Sequence, residues 1–339
     1  MNQAGAGFPI AHWNSRGPLA VALLPLAGVF GGVVALRRFG LRAGFIKTAT
    51  LHVPVVAVGN FTVGGAGKTP LTIWLVEQLR AAGFHPGVVS CGYRGSATEP
   101  AAVTAASDPA VCGDEPVLIA RRTGAPGWIN RNRSRAAAAL LANHPDVDVI
   151  VCDDALQHLR LARDVEIAIT DRRGYGNGWL MPAGPLRERP RPVDATVRNG
   201  APVGPGEFAM SLQADYLYLL NAPDRIINVA SLAGRRLHAL AGIGSPARFF
   251  DSLTALGLSF TSQVFPDHHA FVESDLAIPN ADVILMTEKD AVKCAALNSS
   301  AELMALRVSA QIDGALAARV ISLVQKAQTL KTRHGFSPA

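Results

Sequence analysis

Charge is scarce in this chain. Asp, Glu, Lys and Arg make up 17% of its 339 residues, against 49% apolar ones. That balance excludes a disordered polymer, which needs more charge and fewer apolar side chains. Gly (32) and Pro (22) show no three-residue period, so a collagen-like fibre is excluded too. Cysteine is rarer still, at Cys91, Cys112, Cys152 and Cys294. No two of these form a C-x-x-C pair, which argues against a zinc finger or a thiol redox motif. Buried thiols in a reducing cytosol suffice. What charge there is leans basic, +6 with a pI near 9.4. Nucleic acid, an anionic membrane surface and phosphorylated substrates all suit that sign, and it does not choose among them. The length fits one large or two medium domains.

One stretch has no charge at all. Pro18 to Leu36 reads PLAVALLPLAGVFGGVVAL, with Arg16 before it and Arg37, Arg38, Arg42 and Lys47 after it. A helix of that length spans about 28 Å, near the hydrocarbon thickness of a bilayer. The charge follows the apolar run and no A-x-A site closes it, which disfavours a cleaved signal peptide. Two readings stand: a buried core helix, or a membrane-associated helix that dips into the interface or spans. If it spans, the basic cluster lies on the cytoplasmic side.

Downstream, short apolar runs alternate with helical periodicity. His52–Gly59, Gly87–Cys91, Val147–Cys152 and Val165–Thr170 read as buried strands. Leu71–Ala82, with Gly83 as its stop, and Ser134–Asn143 read as helices. The pattern predicts a doubly wound, mainly parallel α/β sheet of the P-loop NTPase type. Gly184 to Glu207, rich in Pro, Arg and Gly, reads as a long functional loop or a junction. A second, smaller α/β pattern follows: strands at Arg236–Ile243 and Ala281–Met286, helices at Pro246–Leu256 and Ala315–Lys331. The predicted divisions are 1–47, an apolar helix with its basic flank; 48–212, a nucleotide domain; 213–331, a closing domain; and 332–339, a tail.

The chemistry-bearing motifs sit at the ends of these strands. Thr62-Val63-Gly64-Gly65-Ala66-Gly67-Lys68-Thr69 follows the first strand and opens the first helix, the context a P-loop requires. Its glycines let backbone N–H groups face phosphate oxygens, and the helix N-terminus adds a positive dipole. Lys68 would reach the β- and γ-phosphates and Thr69 would ligate Mg²⁺. Thr62 stands where the Walker pattern has its first Gly. Asp153-Asp154-Ala155-Leu156-Gln157-His158 ends the third strand, where open α/β sheets bind ligands. Two adjacent acids there repel each other unless a cation joins them. Asp114, in Gly113-Asp114-Glu115-Pro116, reads either as a helix N-cap or as a base for an acceptor hydroxyl. Asp267-His268-His269 reads as a metal, base or turn element, without helical zinc spacing. Arg187 and Arg189 in Pro182–Pro190 suit a phosphate clamp, with Glu188 as Mg²⁺ support, or a charged surface loop. Thr287-Glu288-Lys289-Asp290 reads equally well as the start of a charged helix.

Together these segments resemble the tetraacyldisaccharide 4'-kinases, membrane-associated lipid kinases of lipid A biosynthesis in Gram-negative bacteria. The likeness rests on the apolar N-terminus, V-x-V-G-N-F-T-V-G-G-A-G-K-T-P (Val56–Pro70), C-G-Y-R-G (Cys91–Gly95) and G-D-E-P (Gly113–Pro116). It continues through D-D-A-L-Q-H (Asp153–His158), P-A-G-P-L-R-E (Pro182–Glu188), Asp267-His268-His269 and T-E-K-D (Thr287–Asp290). Thr62 fits this family. The resemblance implies ATP and Mg²⁺, and transfer of the γ-phosphate to the 4'-hydroxyl of a lipid-linked tetraacyl glucosamine disaccharide 1-phosphate. It implies two α/β domains with the site in the cleft between them. It makes Asp114 the base with His268 its partner, and gives the phosphates to Lys68. Thr69, Asp153, Asp154 and Glu188 become the metal shell. Arg187 steadies the transferring group, and Tyr93, Arg94 and His269 meet the substrate. The expected location is the cytoplasmic face of the inner membrane, with no nucleic-acid or obligate protein partner. A soluble P-loop ATPase of the partitioning or metal-chaperone kind would instead pack the apolar N-terminus inside the domain. A membrane adaptor using nucleotide only as a switch would lack a lipid acceptor.

Overall fold

The computed structural model describes residues 11–333, so residues 1–10 and the tail beyond 333 lie outside the described residues. After a 3-10 turn at Ala11–Asn14 come two α-helices, α1 (Pro18–Ala22) and α2 (Leu24–Arg42). Then follow β1 (Val55–Gly59), α3 (Lys68–Ala81), β2 (Pro86–Ser90), β3 (Ala101–Val103), α4 (Pro109–Cys112) and α5 (Asp114–Thr123). The chain continues through β4 (Gly127–Ile129), α6 (Arg133–Asn143), β5 (Val149–Cys152), β6 (Val165–Asp171) and β7 (Ala195–Asn199). The second half holds β8 (Glu207–Leu219), β9 (Ala222–Ile227), β10 (Leu237–Ala241), α7 (Pro246–Ala255), β11 (Phe260–Val264) and α8 (Glu273–Leu276). It closes with β12 (Val283–Thr287), α9 (Glu288–Cys294), β13 (Glu302–Ile312) and α10 (Gly314–Arg333).

One sheet runs through all of it, in the order β11-β10-β12-β13-β8-β7-β6-β1-β5-β2-β4-β3, with β9 on β8. The expected parallel, doubly wound architecture is present. Antiparallel pairing occurs where β13 meets β8, β8 meets β9 and β3 meets β4. The long strand β8 crosses the 212/213 division, parallel to β7 on one side and antiparallel to β13 on the other. The final helix turns back to the first half. Leu316, Val320 and Val324 of α10 share a core with Leu71, Leu75 and Leu79 of α3 and with Val165 and Ile167 of β6.

Burial explains the central strands. Every residue of β1, β2 and β5 is buried, as expected of Val/Ile runs covered by helices on both faces. Neighbouring strands then bring their carboxyl ends together. β1 pairs with β5 and β5 with β2, so the P-loop, Asp153-Asp154 and Cys91–Gly95 emerge side by side. In the second half β11 and β12, both parallel to β10, do the same, delivering the 267–269 and 287–290 segments.

The apolar N-terminal helix is not core. Among the residues of α2 only Ala27 is buried, while Leu26, Val29, Val33, Leu36 and Phe39 are exposed, Leu36 by 70%. The buried-core reading is thereby excluded, and with it the arrangement a soluble partitioning-type ATPase would need. The base of this region is clasped by the 177–182 segment: Trp13 Nε1 donates to Pro182 O at 3.0 Å and Asn177 N to Trp13 O at 2.7 Å. The stretch read as one loop, 184–207, contains β7 and a bridge from Leu186 to Thr62.

Candidate active site

The phosphate loop is framed from two sides. Gly67 takes φ +98°, and a Cβ there would sit 2.6 Å from Asn199 Nδ2, so only glycine fits before α3. On the other side Val63 N donates to Pro185 O at 2.9 Å and Arg187 N to Phe61 O at 2.8 Å. The P-A-G-P-L-R-E segment thus runs as an added strip beside the loop. Lys68 Nζ donates to Asn60 Oδ1 at 3.3 Å and lies 3.7 Å from Asp154.

The two adjacent acids part company. Asp154 lies in left-handed backbone, φ +47°, which turns its carboxylate to Lys68 and to Arg187 Nη1, 3.0 Å from each oxygen. Burial works to raise its pKa, but Lys68 and then Arg187 outweigh it and hold Asp154 below the usual carboxylate range. Asp153 is buried and accepts from Thr72 Oγ1 at 3.0 Å. Burial first, then Glu115 and Asp154, push its pKa well above that range. Arg133 ties the pair down by donating to the carbonyl oxygens of Asp153 (3.3 Å) and Asp154 (2.6 Å). His158 beside them is pushed down to about 4 by burial and nearby arginines, and stays neutral.

A second cluster joins the two halves of the chain. Asp114 is the first residue of α5, after Gly113, and is not its N-cap. Its Oδ1 accepts from Glu115 N at 2.9 Å, and its Oδ2 lies 3.0 Å from His268 Nδ1. Lys289 Nζ is 3.1 Å from His268 Nε2 and 3.0 Å from Glu115 Oε1. An ammonium only donates, so Nε2 accepts and the imidazole proton sits on Nδ1, directed at Asp114. Burial opposes ionisation of Asp114, but the His268 hydrogen bond and Lys289 prevail and lower its pKa. Lys289 is raised: its own burial is outweighed by Glu115, Asp114 and Asp267. The influence of Glu115 on Asp153 ties this cluster to the carboxylate pair.

Tyr93 sets its ring edge-on to His268, centroids 5.4 Å apart, and Arg94 donates to Asp267 O at 3.1 Å. Of the four non-glycine residues with positive φ among the described residues, three are Arg94, Asp154 and His268. Such strain collects where a site dictates the backbone. His269 points elsewhere, bonded to Asp275 at 2.8 Å and stacked on Phe265. Glu188 has one oxygen on Arg38 and the other on Gln157 Nε2 at 3.1 Å.

Several participants escape sequence reasoning. Lys289 carries a signal, since T-E-K-D is a distinct string at a strand end, but its role depends on contacts with α5. Arg133, Asn60 and Gln157 act through backbone carbonyls or amides, which no spacing reveals. Arg173, held by Asp171, lies against Gly64, where a Cβ would meet its guanidinium at 3.0 Å.

With this geometry in hand, the known proteins that the chain resembles agree on one chemistry. A family model described as LpxK, tetraacyldisaccharide-1-P 4'-kinase, matches residues 19–325. The tetraacyldisaccharide 4'-kinase of Azoarcus sp. is 47% identical over 350 aligned positions, covering all of both chains. That of Herminiimonas arsenicoxydans is 49% identical over 91% of this chain and 93% of its own. A crystal structure of LpxK from Aquifex aeolicus in complex with ATP superposes with a TM-score of 0.76. It is 25% identical, over 90% of this chain and 99% of that one.

Proposed function

The chain belongs to the tetraacyldisaccharide-1-P 4'-kinase family, and from that premise we propose how its side chains divide the chemistry. It is an ATP-dependent kinase of lipid A biosynthesis. It carries the γ-phosphate to the 4'-hydroxyl of a tetraacyl disaccharide 1-phosphate. The P–O bond to the leaving β-phosphate breaks, the bond to the sugar oxygen forms, and the hydroxyl proton must leave. In this reading the 62–69 loop cradles the phosphates, Lys68 reaches the β- and γ-phosphates, and Arg187 steadies the transferring group. Asp114 accepts the hydroxyl proton. Its lowered pKa keeps it ionised at neutral pH, and His268, fixed by Lys289, orients it. Tyr93 and Arg94 line the acceptor side, and the substrate contact expected of His269 passes to them.

The donor set suits Mg²⁺. Asp153 is a buried carboxylate raised by two neighbouring acids, with no cationic side chain bonded to it among the described residues. Thr69 and Asp153 would hold the ion, with Asp154 and Glu188 in support, because Asp154 already accepts from Arg187 and Glu188 from Arg38 and Gln157. Held by these residues, Mg²⁺ would neutralise negative charge on the phosphates. Residues 48–212 with α10 form the nucleotide half, and 213–313 the closing half.

Lipid A enzymes act at the membrane, and the exposed apolar face of α2 with Arg37, Arg42 and Lys47 supports docking on the cytoplasmic face of the inner membrane. The observation that carries the catalytic reading is the 3.0 Å Asp114–His268 contact, which joins residues 154 apart. The test is acceptor-dependent ADP formation by the purified chain. ADP should appear only when a tetraacyldisaccharide 1-phosphate is supplied in micelles. Equal rates with and without it would reject the kinase assignment of these residues.

A further inference from the structure

The membrane helix reaches into the phosphoryl-transfer site. Glu188 is 3% exposed, and a carboxylate so buried needs a partner. Arg163 and Arg191 lie near, but both pair with Glu166. The one ion pair that Glu188 makes among the described residues is with Arg38, across 150 positions of sequence, on the last turns of α2. Its second oxygen accepts from Gln157 Nε2, which also donates to Asn60 O at 3.0 Å. Two acceptors on one amide nitrogen fix which way the Gln157 amide faces. Its oxygen is left for Arg187 Nη1, at 3.4 Å, and that same nitrogen holds both oxygens of Asp154. Asn60 in turn accepts from Lys68 Nζ. Hydrogen bonds therefore run from α2 through Glu188 and Gln157 to the backbone of Asn60, whose side-chain Oδ1 holds the P-loop lysine.

A second contact follows the same direction. Gly31 of α2 lies against Leu180, and the segment beyond Leu180 pairs with the approach to the P-loop through Leu186 and Thr62. The neighbouring Arg37 and Arg42 carry the same charge on the same helix, yet make no ion pair among the described residues. A helix serving only as a lipid anchor would have no use for this difference.

We infer that Arg38 is a positioning residue of the kinase: from the membrane helix it holds Glu188, which sets Gln157 and Arg187 against Asp154 and the phosphate loop. The inference rests on the proposed roles of Arg187, Asp154 and α2. It makes α2 a structural part of the site as well as its membrane contact. The loss from removing Arg38 falls on kcat, because the groups it aligns act on the transferring phosphate rather than on ATP binding as a whole.

The full chain is compared with Arg38→Ala, Arg38→Lys and Arg37→Ala. Micelles of tetraacyldisaccharide 1-phosphate in neutral detergent give kcat and KM for ATP. Sedimentation with phosphatidylglycerol–phosphatidylethanolamine vesicles gives membrane binding. Arg38→Ala should lower kcat on the order of 10- to 100-fold, the range for losing an orienting partner, with KM for ATP little changed. Its vesicle binding should match that of Arg37→Ala, which removes the same charge from the same helix. Arg38→Lys keeps a cation on the buried carboxylate, and the fold with it, but loses the planar fork. Its kcat should fall between wild type and the alanine variant, and it decides the matter alone if the alanine variant does not fold. Micellar kcat values for both Arg38 variants within twofold of the wild-type chain would overturn the inference. Sedimentation separately tests the membrane reading of α2, so the two fail independently.

Discussion

Asp114→Asn asks whether this carboxylate moves a proton or merely starts a helix. The structure gives the cost of the change in two parts. Both Asp114 oxygens accept from donors, Glu115 N and His268 Nδ1–H, the latter fixed as a donor by Lys289. An asparagine offers one acceptor, so its NH₂ must face a donor whichever way it turns. One lost hydrogen bond with a donor facing a donor costs about 1–3 kcal/mol of stability. A 35.6 kDa protein should survive that, with a lowered Tm. The second part is catalytic. Loss of a general base costs about 10²- to 10⁴-fold in kcat, or roughly 3–5 kcal/mol. Labelled γ-phosphate transfer in micelles reads kcat, and equilibrium binding reads ATP affinity, which should hold. If His268 works through Asp114, adding His268→Ala to an Asp114→Ala chain should cost little more than Asp114→Ala alone. A fully active Asn variant, or a double variant whose loss is the product of the single losses, would remove Asp114 as the base or His268 as its partner.

Three further outcomes follow from the geometry. Lys68→Ala should reduce phosphate transfer by about 10²- to 10³-fold with an unchanged circular dichroism spectrum, and near-normal turnover would remove the P-loop role. Asp153, raised by burial and neighbouring acids, holds a proton in the free protein at mildly acid pH, and a cation beside it favours the ionised form. Binding of Mg²⁺ with ATP should therefore release up to about one proton near pH 6 and progressively less as pH rises. Calorimetry in buffers of different ionisation enthalpy measures this, and proton uptake or no linkage would contradict it. Deleting residues 1–47 should abolish vesicle sedimentation while ATP binding persists, and micellar kcat should drop as well because Arg38 leaves Glu188. Loss of a cooperative melting transition in the truncated chain would instead make the segment a folding element.

The nucleotide half was legible because its signals are local. The Val runs of β1 and β5 and the glycine turn into α3 need no tertiary information to be read. β8 and β13 left no such trace. They carry Glu207, Gln213 and Asp215, or Glu302, Arg307 and Gln311, on partly exposed faces, and their pairing is with each other across almost a hundred residues. β7 was hidden for another reason: five residues with every second one buried, after a Pro- and Arg-rich approach, resemble loop composition. At the site, residue types were readable and partners were not. The adjacent histidines are equivalent in sequence; only the backbone turn at His268, φ +59°, sends one to Asp114 and the other to Asp275. Lys289 and Arg38 read as ordinary surface charges until the fold delivers them to buried carboxylates.

One site, assembled from both halves of the chain, is proposed to place phosphate on the sugar. Phosphorus NMR of the lipid product tests it most directly, with purified chain, ATP, Mg²⁺ and a tetraacyldisaccharide 1-phosphate in micelles. One new phosphomonoester signal should appear, coupled to the proton on C4', growing in step with ADP and absent with Asp114→Ala. Inorganic phosphate as the sole new signal, or a phosphate on any other hydroxyl, would contradict it.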